Sequence, residues 1–153
     1  MNEDPFAYRH QRDSVKATVE LLADRWTFLV LREAFFGVRR FGHMHRNLGI
    51  ARTVLSSRLK LLVAEGLLER RAYRDDPVWY EYRLTDKGLD FYPVAIALMQ
   101  WGDRYLAGKT GPPTVLHHCA CGHDTQPLWT CNHCGERLDP HDVEPRPGPG
   151  ATG

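Results

Sequence analysis

Acidic side chains are missing from the middle of this chain. Between Glu33 and Glu65 lie 31 consecutive residues without one. The same interval holds Arg39, Arg40, Arg46, Arg52, Arg58 and Lys60, with His43 and His45 beside them. Such a stretch is not the usual mixed-charge surface, and its field suits a polyanion. Long apolar runs are also missing. The run from Val94 to Met99 falls far short of the ~18 residues of a membrane span, so no membrane partner is expected. The N-terminus, Met1-Asn2-Glu3-Asp4, is acidic and has no apolar signal-peptide core; a cytoplasmic location is expected. Cysteine is absent until residue 119, and then four occur within 16 residues. In a reducing compartment, thiols clustered this way suggest metal before disulfide. No Ser/His/Asp set, phosphate loop or pair of carboxylates stands out, so the chain is not expected to be an enzyme.

What is present is a chain of 153 residues, 42% of them apolar. That suits one domain with a packed core plus an appendage. Residues 1–110 carry 18 Lys and Arg against 14 Asp and Glu, whereas residues 111–153 carry 2 against 5. A mildly basic body thus bears an acidic tail.

Apolar spacing predicts a first helix over Ser14–Leu22. It predicts a second from Arg25 to Phe36, capped by Asp24, ended by Gly37 and central to the core. A short third helix fits His43–Leu48. A fourth fits Arg52–Glu65, between Gly49 and Gly66, with Leu55, Leu59 and Leu62 on its apolar face. Leu67–Tyr73 and Val78–Leu84 read as two strands joined at Asp75-Asp76-Pro77. In the second strand, alternation puts Tyr80, Tyr82 and Leu84 on one face and Trp79, Glu81 and Arg83 on the other. Thr85 caps a last helix reaching Ala107, which Pro93 should kink or divide. Its apolar side chains exceed what one small domain can cover, which predicts a homodimer. The expected fold is mainly α with a small β-wing, a winged helix-turn-helix plus a small C-terminal zinc-ribbon-like module. The expected divisions are an arm over 1–13, a DNA-binding and dimerisation domain over 14–107, a cysteine module over 114–140 and a disordered tail over 141–153.

A helix that reads a DNA groove needs short polar or long basic side chains near its N-terminus, with other cations gripping phosphates. Arg52, Thr53, Ser56, Ser57 and Lys60 meet the first need, Arg52 suiting guanine and Thr53 a thymine methyl. Arg39, Arg40, Arg46 and Arg58 add cations, and Arg71 or Arg74 of the wing suits flanking backbone. Asp75 and Asp76 at the wing tip disfavour deep entry into the minor groove.

Asp24-Arg25-Trp26-Thr27, Arg40-Phe41, Leu55-Ser56-Ser57-Arg58-Leu59-Lys60, Gly66-Leu67, Glu81-Tyr82-Arg83-Leu84-Thr85 and Lys87-Gly88 together closely resemble the HxlR-type family of bacterial transcriptional regulators, over about residues 14–107. The resemblance implies a winged-helix homodimer, joined through terminal helices, acting on two-fold operators in double-stranded DNA; a small-molecule effector of unknown identity is compatible with it. Many members of the family have a cysteine near the start of the first helix, where this chain has Ser14, so thiol sensing at that position is excluded. Ala51 stands where the family usually opens the fourth helix with Ser, and alanine is a poor cap.

Cys131-Asn-His-Cys134-Gly135 has zinc-knuckle spacing. Upstream lies His118-Cys119-Ala120-Cys121-Gly122. Superposing the two glycines aligns Cys121 with Cys134 and His118 with Cys131. One structural Zn²⁺ is expected, held by Cys121, Cys131 and Cys134. The fourth ligand is Cys119, if sulfur is preferred, or His118, if the two turns are alike. A sequence-specific regulator with structural zinc is the leading reading. A metal- or redox-responsive regulator, with this module as the sensor, is the alternative.

Overall fold

The structure, a computed structural model, describes residues 13–152. The expected N-terminal arm lies outside them, except for Asp13. Two compact units are present: Val15–Ala95 form one, and the chain from Ile96 onward belongs to the other. No helix among the described residues is long and apolar enough to cross a membrane.

The first unit is built on α1 (Ser14–Leu22), α2 (Arg25–Phe35), α3 (Phe41–Leu48) and α4 (Arg52–Ala64). Asp24 caps α2, its carboxylate accepting from the Thr27 N–H at 2.9 Å and from the Thr27 hydroxyl at 2.9 Å. Val30 and Leu31 of α2 are fully buried against Leu55, Leu59 and Leu62 of α4, with Met44, Ile50, Leu67 and Leu68 completing the core. Helix α3 starts two residues before the expected His43, and Met44 is its one buried side chain. Gly49 adopts a left-handed backbone (φ 59°) between α3 and α4, a conformation that costs glycine little.

Strand β1 (Leu68–Asp75) pairs antiparallel with β2 (Val78–Leu84), from Leu68 opposite Leu84 to Asp75 opposite Val78. A bulge at Tyr73 adds a residue to β1, and Asp75 joins the ladder. The connection is therefore two residues, Asp76-Pro77, shorter than the expected turn. In β2, Tyr82 and Leu84 pack against the core, and Glu81 and Arg83 meet on the other face, as the alternation expected. Glu81 is buried, 8% exposed, and pairs with Arg83 Nε at 2.6 Å, while Tyr80 lies exposed. A carboxylate can occupy that position because the guanidinium two residues along compensates it.

The last expected helix is divided, as Pro93 suggested: α5 (Asp86–Asp90) is separated by Phe91 from α6 (Tyr92–Tyr105). Thr85 caps α5 and donates its hydroxyl to the Gly66 carbonyl at 2.5 Å. In the second unit, β3 (Leu116–His118) pairs antiparallel with β4 (His123–Thr125). A single bridge joins Thr130 and Arg137. The tail has little regular structure beyond a 3-10 turn at Pro149–Thr152.

Candidate nucleic-acid interface

Helices α3 and α4, with the tight Gly49 turn between them, form a helix-turn-helix, and β1–β2 form the wing beside it. The apolar stripe of α4 faces α2. Its opposite side presents Arg52, Thr53, Ser57 and Lys60 to solvent, with Ser56 half-buried. Ala51 makes no side-chain cap, and the first helical bond runs from the Leu55 N–H to the Ala51 carbonyl at 3.0 Å. The N–H groups of the first turn therefore have no partner within the helix.

Around this end the cations differ in freedom. Arg39, Arg46 and Lys60 are exposed, and among the described residues their side chains make no ion pair. Arg52 lies over the Phe41 ring at 5.9 Å, and Arg40 over the Tyr73 ring at 4.5 Å. Such stacking leaves the charge in place while limiting the side chain's range. Arg71 pairs with Glu69 at 2.8 Å on the exposed wing surface, a contact of small net energy that a phosphate could replace. Arg58 is different. Its Nε sits 2.8 Å from Asp24 Oδ2 without a well-directed hydrogen bond, and its side chain is two-thirds covered. It ties α4 to the capped end of α2. The Asp24 carboxyl is held below its usual range, first by the Thr27 backbone N–H, then by the Thr27 hydroxyl and the Arg58 charge.

Two further contacts position this surface. The Tyr82 N–H donates to the Arg39 carbonyl at 2.8 Å, so β2 holds the segment entering α3. Glu33, 4% exposed, accepts from Asn47 Nδ2 at 2.8 Å and from Arg32 Nη2 at 2.9 Å. That buried carboxylate ties α2 to α3. Sequence reasoning missed both; the only signal for Glu33 was that it is the one acid in α2, next to Arg32.

The cysteine segment consists of two turns. In the first, the Gly122 N–H donates to the His118 carbonyl at 2.9 Å, and His118 Nδ1 lies 3.2 Å from Cys121 Sγ. In the second, the Gly135 N–H donates to the Cys131 carbonyl at 2.8 Å. The Cys131 thiol is held below its usual range by the Cys134 N–H, then by the His133 N–H and the Cys134 thiol. Cys119 Sγ points instead toward the His117 carbonyl, 4.0 Å away. Among the described residues no three His, Cys, Asp or Glu side chains converge as a metal site. Nearby, Trp101, Tyr105, Val115, Leu128 and Trp129 line a cleft of about 630 Å³.

The HxlR-like helix-turn-helix family model matches residues 21–110. An uncharacterized HTH-type transcriptional regulator of Mycobacterium tuberculosis is 51% identical over 144 residues, 94% of this chain and 91% of that one. The crystal structure of PA1607, a transcription-factor candidate, aligns with a TM-score of 0.80 and 28% identity over 92% of this chain and 98% of that one. The reduced form of the transcriptional regulator YodB from Bacillus subtilis aligns with a TM-score of 0.55 and 26% identity, covering 66% of this chain and 98% of that one.

Proposed function

The chain belongs to the HxlR-like helix-turn-helix family, whose named members are transcriptional regulators and not enzymes, and from that premise we propose that it binds a two-fold DNA operator as a homodimer. The observation that carries this reading is the N-terminal end of α4. Short polar and long basic side chains are exposed there, Ala51 makes no side-chain cap, and exposed cations flank it. In the proposed complex α4 lies in the major groove. Arg52 contacts a guanine edge, Thr53 and Ser57 contact neighbouring bases, and Ser56 supports them from the rim. A phosphate accepts from the uncapped N–H groups. Arg39, Arg40, Arg46 and Lys60 grip the backbone, with Arg71 at the flank. Arg58 contributes by fixing α4 against α2.

The homodimer is supported by α6. Val94, Leu98, Trp101 and Tyr105 recur at helical spacing and are all exposed, an apolar stripe of the kind that marks an interface. A second copy would place two α4 helices about 34 Å apart, matching half-sites one helical turn apart.

Operator selection from random duplex DNA, followed by salt titration of binding, tests the reading. Arg52→Ala should weaken the selected site by about 1–3 kcal/mol and relax base preference at one position. Arg46→Ala should weaken all sequences alike and reduce the salt slope by about one counterion. Wild-type behaviour in both variants would place the DNA elsewhere.

A further inference from the structure

The segment after α6 carries four thiols and has no core of its own. From Gly108 to Gly150 no residue is buried. Val115, Leu128, Trp129 and Leu138 remain exposed, and the first three line an open cleft. A segment of this size with so little apolar burial needs a cross-link to hold one conformation. No pair of its cysteines is bridged.

Its two turns are built alike. Each ends in a glycine with a left-handed backbone, Gly122 at φ 72° and Gly135 at φ 77°. Each glycine N–H returns to the carbonyl four residues before it, at 2.9 and 2.8 Å. Each turn lies between antiparallel partners, β3 and β4 for the first and Thr130 and Arg137 for the second. Each carries a metal-ligating side chain at its first position and a thiol at its fourth, His118 and Cys121 in the first turn and Cys131 and Cys134 in the second, and in the first turn the two donors stand 3.2 Å apart.

We infer that these two turns are the halves of one structural zinc site, with His118 Nδ1, Cys121, Cys131 and Cys134 as ligands and Cys119 outside it. Bond lengths of about 2.05 Å to nitrogen and 2.3 Å to sulfur in a tetrahedron set a nitrogen–sulfur separation of about 3.6 Å. His118 Nδ1 and Cys121 Sγ stand 3.2 Å apart, so that half needs only a small opening. Cys119 cannot replace His118 without undoing the turn, because one residue separates it from Cys121 and its sulfur faces the His117 carbonyl. The two halves are each made but do not converge on a shared centre. Binding of the ion would require the two halves to approach, and would release the thiol protons as three thiolates and a neutral imidazole took their places as ligands. Four protein ligands leave no open position for substrate, so the site is structural rather than catalytic.

The test counts zinc in the full-length chain, purified with reductant and held against a competing chromophoric chelator. Wild type and Cys119→Ser should each retain about one equivalent, whereas His118→Ala and Cys131→Ser should lose it. Circular dichroism of each variant confirms that the helical body is folded while the metal is counted. Cobalt substitution gives a second reading: wild type and Cys119→Ser should share one tetrahedral spectrum, with thiolate charge-transfer bands. No retained zinc in wild type would overturn the site. Loss of zinc from Cys119→Ser, or its retention by His118→Ala, would overturn the ligand assignment. DNA binding does not enter these measurements, so they stand or fall apart from the operator reading.

Discussion

At the scale of single residues, Gly88 carries a strict requirement. A Cβ there would lie 2.1 Å from the Leu67 carbonyl oxygen and 3.1 Å from Leu84 Cδ2. The carbonyl is not free to retreat, since it accepts from the Thr85 N–H at 3.1 Å. Gly88→Ala should therefore destabilise the protein by at least about 1–3 kcal/mol, the usual range for overpacking. Gly42 is the contrast. It lies within α3, and a Cβ there meets nothing within 4 Å. Gly42→Ala should instead gain about 0.5–1 kcal/mol through helix propensity. Urea denaturation of both variants checks the pair; equal effects would mean that the close approach at Gly88 is not maintained in solution.

At the scale of elements, the joint between α2 and α4 offers a pH test. Asp24 caps α2 and meets Arg58 of α4, and its folded pKa lies below the ordinary 3.8. A depressed carboxylate stabilises the fold fully above its unfolded pKa and loses that contribution as pH falls through the folded value. Asp24→Asn keeps an acceptor for the cap but removes the charge. Its deficit in Tm relative to wild type should be present at neutral pH and shrink once the pH drops below 3.8. A deficit independent of pH would show that the charge contributes nothing. Asp24→Ala removes the cap as well and should cost about 0.5–2 kcal/mol. The two ends of this joint were not equally legible in the sequence. Asp24 before an apolar run is a local signal, and Leu55, Leu59 and Leu62 announce the buried face of α4 by spacing alone. Spacing does not name the neighbour, however, so Arg58 read as one more cation on a basic helix. Alternation in β2 gave Glu81 and Arg83 a common face, but it cannot show that Glu81 is buried there beside the Arg83 guanidinium. His118 and Cys119 stayed undecided because the choice depends on a hydrogen-bonded turn, not on residue type.

At the scale of the whole molecule, the exposed stripe of α6 is where the proposed homodimer can be tested. Leu98 is the best probe, because it is 52% exposed and does not line the cleft that Trp101 and Tyr105 share. Leu98→Glu should place a charge in the proposed interface, shifting the sedimenting species to monomer and weakening binding to a two-half-site operator far more than to a single half-site. An unchanged dimer would remove α6 from the interface. Helical content should stay at the wild-type level, since the core of Val30, Leu31, Leu55, Leu59 and Leu62 lies in the Val15–Ala95 unit.

The base of the wing has a mechanical consequence. Both strands leave a point clamped by the Thr85 hydroxyl on the Gly66 carbonyl, the Thr85 N–H on the Leu67 carbonyl and Lys87 Nζ on the Glu65 carbonyl at 2.6 Å. The hairpin is anchored most firmly at this base, with the Tyr82 N–H on the Arg39 carbonyl and Arg40 over the Tyr73 ring as further contacts along it. Seven residues of strand at about 3.3 Å each reach about 23 Å, so a tilt of about 10° at the anchor carries the tip about 4 Å. That exceeds the length of a hydrogen bond. In the proposed complex, the clamp at Thr85 and Lys87 therefore helps set whether Arg74, at the far end of the lever, meets a phosphate.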